Sequence, residues 1–212
     1  MPELKDLLIE QLQDLLNAEN QIVGALPKMV EAAHNPKLKE IFEKHLTQTK
    51  NQVKRLELSL KTLGESTDSK PCKGMKGLLE EGQETIDNGE DLDDLTADLA
   101  LIAAAQKVEH YEIAGYGTAR CLAKQIGERE VAILLTHTLG EEEASDFLLT
   151  AAAQPLLQQA VSTEMGNGTK APWGEPGEIS TNLHSSTTGS ASDSHATSHG
   201  KETSAKFKKA KA

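Results

Sequence analysis

Aromatic residues are scarce in this 212-residue chain, at 3% of positions. Its apolar residues are instead Leu, Ala, Ile and Val, which suits helix-on-helix packing, where straight side chains keep most of their rotamer freedom. Cysteine is nearly absent. Only Cys72 and Cys121 occur, without a C-x-x-C pair, which excludes a disulfide framework and fits a reducing compartment. The start, MPELKDLL, lacks the apolar region of a signal peptide, and no apolar run approaches membrane-spanning length. The expectation is a soluble cytoplasmic protein with no membrane association. Nothing in the chain has the spacing of a nucleophilic triad, a P-loop or a dinucleotide-binding turn.

Positive charge is also short. Residues 1–160 carry 16 Lys and Arg against 28 Asp and Glu, whereas residues 161–212 carry 6 against 5. An acidic body repels nucleic-acid phosphates and attracts cations, so no nucleic-acid partner is expected for the folded part. The Lys-rich end, Lys206, Lys208, Lys209 and Lys211, reads as a solvated tail.

What is present is helical periodicity. Residues 3–34 carry Leu8, Leu12, Leu15, Ile22 and Leu26 on one stripe, with Pro27 bending the helix rather than ending it. A second helix is expected from Pro36 to Leu63, capped by Gly64, with Leu38, Ile41, Leu56, Leu60 and Leu63 inward. Gly64 to Gly77 reads as a loop, and Leu78 to Asn88 as a short amphipathic helix ending at Gly89. A long helix opens near Asp91 and Asp93 and runs to Gly127, carrying Leu95, Leu99, Ile102, Ile113 and Tyr116. Its partner runs from Glu128 to about Leu157 with Val131, Leu135, Leu149 and Ala152. Two helical hairpins joined by a long connection describe an all-α four-helix bundle with a crossover and a short extra helix. Its domain is expected at 1–160. Beyond it, 161–212 is rich in Ser, Thr and Gly and reads as a disordered tail.

The stripes are interrupted where a leucine is due. Glu19 interrupts the first helix; His45, Thr49 and Gln52 the second; Gln106, Glu109 and Glu112 the third; Thr138, Glu142 and either Ser145 or Asp146 the fourth. Glu19 to Gln52 and Glu109 to Glu142 share one separation of 33 residues, as a duplicated helix pair would. A lone buried carboxylate costs several kcal/mol unless it is paired or bound to a cation. Carboxylates on helices packed roughly 8–10 Å apart can bridge divalent cations, and hard oxygen donors with a nearby His suit iron or manganese. A polar network without metal is the competing reading. His34, His110 and His137 read as surface residues, and Tyr111 and Tyr116 as core or dimer packing residues, with one-electron chemistry beside a metal as the alternative. The tail histidines His184, His195 and His199 are too widely spaced to make a strong site.

The segments DLLNAENQIVGALPKMVEAA, FEKHLTQTKNQVKRLE, AAQKVEHYEIAGYGTARCLA and LLTHTLGEEEASDFLL resemble, in order, those of the YciE/YciF or DUF892 family of ferritin-like bacterial stress proteins. The resemblance covers about residues 3–157. It implies a ferritin-like four-helix fold, a homodimer and a role in stress. The ferritin-like pattern takes Glu, Glu-x-x-His, Glu and Glu-x-x-His from four successive helices. By position Glu19, Glu109 and Glu142 match it, and Glu112 resembles the extra third-helix carboxylate of the rubrerythrin branch. The departures are Gln52 for the second-helix Glu, and Arg55 and Ser145 for the two histidines; His45 and Asp146 are the available substitutes.

Three readings follow. In the first, Glu19, His45, Gln52, Glu109, Glu112, Glu142 and Asp146 bind iron or manganese weakly, in a mononuclear or dinuclear site, for peroxide or dioxygen chemistry. The second is a metal-free helical dimer acting through its surface and tail. The third, iron storage in a hollow shell, is weaker because the long tail would crowd a closed cage.

Overall fold

The structure is a computed structural model that describes residues 2–165; the expected tail from 166 to 212 lies outside the described residues. Five helices follow one another: α1 (Pro2–Ala32), α2 (Pro36–Leu63), α3 (Lys73–Gly89), α4 (Asp94–Ile126) and α5 (Arg129–Met165).

Their ends are set by local chemistry. Asn35 accepts from the amides of Lys37 and Leu38 with Pro36 in the first turn, and Asp93 does the same for Leu95 and Thr96. Gly64 and Gly127 close α2 and α4 in the left-handed region, φ 81° and 87°, where a Cβ would be strained. Pro27 and Pro155 lie inside α1 and α5 without ending them.

Two expected boundaries move. The short helix starts at Lys73, five residues before Leu78, because the Cys72 thiol accepts from the Met75 amide at 3.4 Å and caps the extra turn. The last helix runs past Leu157 to Met165, five residues beyond the expected domain end.

Around the bundle, α1 touches α2 and α4, and α5 touches α2 and α4. Short links make α1 antiparallel to α2 and α4 antiparallel to α5. Asp98 near the start of α4 reaches the end of α1, accepting from His34 N and Asn35 N at 2.7 Å each, whereas Tyr111 reaches back to Asp14 at 2.8 Å. Thus α1 and α4 are antiparallel too. The 64–93 crossover therefore travels the length of the bundle, carrying α3 against α1 and α4. Of α3 only Met75 is fully buried.

The core has two apolar blocks. One gathers Leu8, Leu12, Leu15, Leu56, Leu60 and Leu135; the other Ile22, Leu26, Leu38, Phe42, Ile102 and Leu149. Phe42, rather than the half-buried Ile41, fills the second block. Between the blocks lies a buried polar layer.

Candidate metal centre

The layer is built by one or two turns from each bundle helix. Glu19 comes from α1; His45, Thr49 and Gln52 from α2; Glu109 and Glu112 from α4; Thr138, Glu142 and Ser145 from α5. All are buried, and Glu19, Gln52 and Glu142 are 0% exposed. These positions converge because each lies mid-helix on the inward stripe, so the 3.6-residue period that buries the leucines also buries them.

His45, Glu109, Glu112 and Glu142 each offer a donor atom, and these four atoms lie within 4.8 Å of one another. The imidazole is held by Ser145, whose Oγ lies 2.9 Å from His45 Nδ1. Its other nitrogen, Nε2, faces Glu109 at 3.3 Å and Glu142 at 3.9 Å. Gln52 donates through its amide to Glu142 and, at 3.1 Å, to Glu141. Glu19 accepts from the Tyr116 hydroxyl. Of the expected α5 alternatives, Ser145 is the buried one. Asp146 stands apart: its side chain is 24% exposed and takes Gln106 at 2.9 Å and His110 at 3.4 Å. Gln106 is likewise half-buried and turned toward Asp146 and Thr150.

Arg55, which stands in the place of a histidine ligand, turns away from the cluster. Its guanidinium pairs with Glu141 and donates from Nε to Thr138 Oγ1 at 2.8 Å. Its charge still reaches the centre and lowers the cost of ionising Glu19 and Glu142.

Four carboxyls in a buried layer cannot all ionise cheaply. Burial, followed by the Glu142 charge, pushes both Glu19 and Glu109 well above the usual carboxylate range. Burial, then the Glu19 charge, does the same to Glu112. Burial raises Glu142 to about 7, with a hydrogen bond to Glu109 opposing it. Burial also holds His45 down, at about 4, so the imidazole is neutral at pH 7 and free to act as a donor. The Tyr116 hydroxyl is raised by burial and by Glu19 and keeps its proton.

With the carboxyls ionised, seven polar side-chain atoms of the layer are buried without a hydrogen-bond partner: Glu19 Oε2, His45 Nε2, Gln52 Oε1, Glu109 Oε2, both Glu112 oxygens and Glu142 Oε2; protonated, Glu109 pairs with Glu142 and Glu19 with Glu112. Native cores seldom leave such atoms unpaired, let alone a group of them in one layer. The set is mostly carboxylate oxygen with one amide oxygen and one imidazole, which fits a hard to borderline divalent cation.

Two participants escaped the sequence reading. Tyr116 was read as a packing residue, yet its position four residues after Glu112 places its hydroxyl on the same face. Glu141, partnering Arg55 and Gln52, carries no periodic signal because it lies beside the inward stripe rather than on it. His34, His110 and His137 stay at the surface, with 46%, 68% and 65% of their side chains exposed. The two tyrosines pack and also donate: Tyr111 meets the buried Cys72 thiol at 2.9 Å as well as Asp14. Among the described residues no helix is long and apolar enough to cross a membrane.

Comparison with known proteins places this arrangement in a family. Residues 3–162 match the domain of unknown function DUF892. Protein YciF of Escherichia coli (strain K12) is 43% identical over 151 residues, covering 71% of this chain and 90% of YciF. The crystal structure of that E. coli stress protein superposes with a TM-score of 0.71 at 42% identity, covering 74% of this chain and 99% of the other. YcfI of Rhodopseudomonas palustris, provisionally described as a structural protein, gives 0.66 at 41% identity over 69% of this chain and 92% of its own. A Xanthomonas campestris protein shares the fold alone, with a TM-score of 0.59 at 22% identity over 77% of this chain and 99% of its own. The helical bundle and its crossover are thus those of solved relatives, and the chain belongs to the DUF892 family together with the stress protein YciF.

Proposed function

We propose that the polar layer is a ferritin-like carboxylate centre that holds iron or manganese and serves peroxide or dioxygen chemistry under stress. The observation that carries this reading is the set of seven unpartnered buried atoms contributed by Glu19, His45, Gln52, Glu109, Glu112 and Glu142. His45, Glu109, Glu112 and Glu142 would hold the ion first, since their donor atoms already lie within 4.8 Å. Glu19 and Gln52 would complete the shell, and Asp146, half-buried and engaged by Gln106 and His110, would act only from outside it.

When bound, iron or manganese would supply a redox couple able to pass electrons to peroxide or dioxygen. The chain's own residues supply the setting. Ser145 fixes the imidazole so that Nε2 faces the carboxylates. Tyr116 holds one Glu19 oxygen and leaves the other free. Gln52 anchors Glu142, and the apolar blocks flank the layer along the bundle. Because several carboxyls are protonated before metal enters, binding releases protons and strengthens as pH rises. The neutral Gln52, and Arg55 and Ser145 in place of histidines, lower the donor strength, so binding is expected to be weak.

A melting series with added Mn(II) or Fe(II) tests the reading. Ligand at a hundredfold excess over Kd raises native stability by about 2.7 kcal/mol. An upward shift that Glu109→Ala abolishes is the expected result; no shift in the unmutated protein would sink the metal reading.

A second reading, a metal-free homodimer acting through its surface, draws on the outer face of α5. There Ile133 and Phe147, fourteen residues apart and so on one face, are each 70% exposed. Light scattering of Phe147→Asp beside the unmutated chain decides whether that face pairs two copies. The cytoplasm remains the expected compartment, in keeping with two unpaired cysteines. The bundle up to about residue 160 is proposed as the one folded domain, with 161–165 as the last turn of α5.

A further inference from the structure

A cleft of about 410 Å³ opens between α1, α3 and α4 and ends on the polar layer. Its walls are apolar: Leu26 and Met29 from α1, Leu79 and Ile86 from α3, Ala105 and Val108 from α4. At its inner end stand Phe42, His45 and Glu109. The side chains of His45 and Glu109 are only 5% and 4% exposed, and His45 Nε2 and Glu109 Oε2 have no hydrogen-bond partner. At the rim Lys28 Nζ donates to Gln83 Oε1 at 2.8 Å, tying α1 to α3. An apolar cavity with a few unpaired polar groups at one end is the usual form of a small-molecule site, and the volume lies in the usual range.

Two wall residues give positions from which the cleft can be filled. Gly24 and Gly82 lie inside α1 and α3, on different walls of the cleft, and a Cβ at either would meet nothing within 4 Å. Alanine at each would strengthen its helix by roughly 0.5–1 kcal/mol. Nothing in the packing requires glycine there.

We propose that this cleft binds a medium-chain aliphatic molecule that carries a neutral hydroxyl or hydroperoxyl end. The chain lies along the apolar walls and the oxygen-bearing end meets His45 and Glu109. A 150 Å³ cavity accepts benzene, so by proportion this one accepts roughly sixteen heavy atoms. A hydroxyl-type end both donates and accepts, so it satisfies Glu109 Oε2 and His45 Nε2 whichever ring nitrogen holds the proton. Without metal an anionic end is disfavoured, because no cationic side chain stands beside Phe42, His45 and Glu109 at the inner end to offset the burial of its charge. As a substrate class for the centre, this rests on the metal reading and points to organic rather than hydrogen peroxide. The binding itself does not require metal.

The test is calorimetric titration of the full chain with 1-octanol and with octanoate, in chelator and with Mn(II). Octanol is expected to bind under both conditions, and in chelator octanoate should be weaker by about tenfold or more. Gly24→Leu and Gly82→Leu, which fill the cleft from different walls, should each weaken octanol by a similar factor. Gly77→Leu, on α3 but off the cleft and equally uncrowded, should not; melting curves confirm that all three fold. Octanol that does not bind, that binds no better than octanoate in chelator, or that binds the filled variants unchanged overturns the proposal. Manganese content is read on the same samples. Octanol binding without manganese would sink the metal reading alone, and manganese without octanol binding would sink this one alone.

Discussion

Glu142→Gln exchanges a carboxyl for an amide of the same shape inside the polar layer, where the side chain is 0% exposed. The Gln52 amide still finds an oxygen to donate to. What changes is the cost of charge. Burial raises Glu142 from 4.5 to about 7, and that gap of about 2.5 in pH corresponds to about 3 kcal/mol. The folded pKa lies above the unfolded one, so the folded protein binds the extra proton. Its contribution is fully present below the unfolded pKa and is lost as pH rises through the folded value. In chelator, Glu142→Gln is therefore expected to be more stable than the unmutated chain by about 3 kcal/mol near pH 8 and by less than about 1 kcal/mol near pH 5. Urea denaturation at the two pH values reads both differences. With Mn(II) added near pH 8 the order should narrow or reverse, since the variant has lost a ligand. A variant that is less stable in chelator at both pH values would refute the reasoning, because the carboxylate would then be supported by something other than a cation.

His45→Gln should act in the opposite pH direction. The folded imidazole sits at about 4 rather than 6.5, so its contribution is present above 6.5 and lost as pH falls; the variant should lose less stability on acidification, as acid titration of far-UV CD would show. Tyr116→Phe leaves a Glu19 oxygen unpaired and is expected to cost about 1–3 kcal/mol by denaturant titration, with part of the loss restored by Mn(II). Asp98→Ala strands the His34 and Asn35 amides at the α1–α2 turn and should cost about 2 kcal/mol or more by denaturant titration, whether or not metal is added.

Much of the bundle could be read from the chain because its determinants are local. Pro36, Gly64, Asp93 and Gly127 punctuate the helices through caps that need no tertiary partner, and the leucine stripes fix which face turns inward. The polar layer was legible for the same reason: a polar residue on an apolar stripe stands out, and the shared 33-residue separation ties the two hairpins at one level. The start of α3 was not legible, since a cysteine is a rare helix cap and its thiol serves here only because Tyr111 and Asp14 hold it in place. The choice between Ser145 and Asp146 depended on a rotation of one residue about α5, finer than a periodic pattern resolves. The cleft was beyond sequence reasoning altogether, because it exists only where α3, carried by the crossover, falls short of filling the space between α1 and α4.

Metal analysis of the full-length protein, purified from its own host without chelator, tests the central claim most directly. The account predicts bound iron or manganese, at less than one ion per chain as weak binding implies, lost on Glu109→Ala together with the metal-dependent gain in thermal stability. Protein that carries neither metal, and gains no stability from either ion near neutral pH, would contradict it and leave the layer as a network of protonated carboxyls.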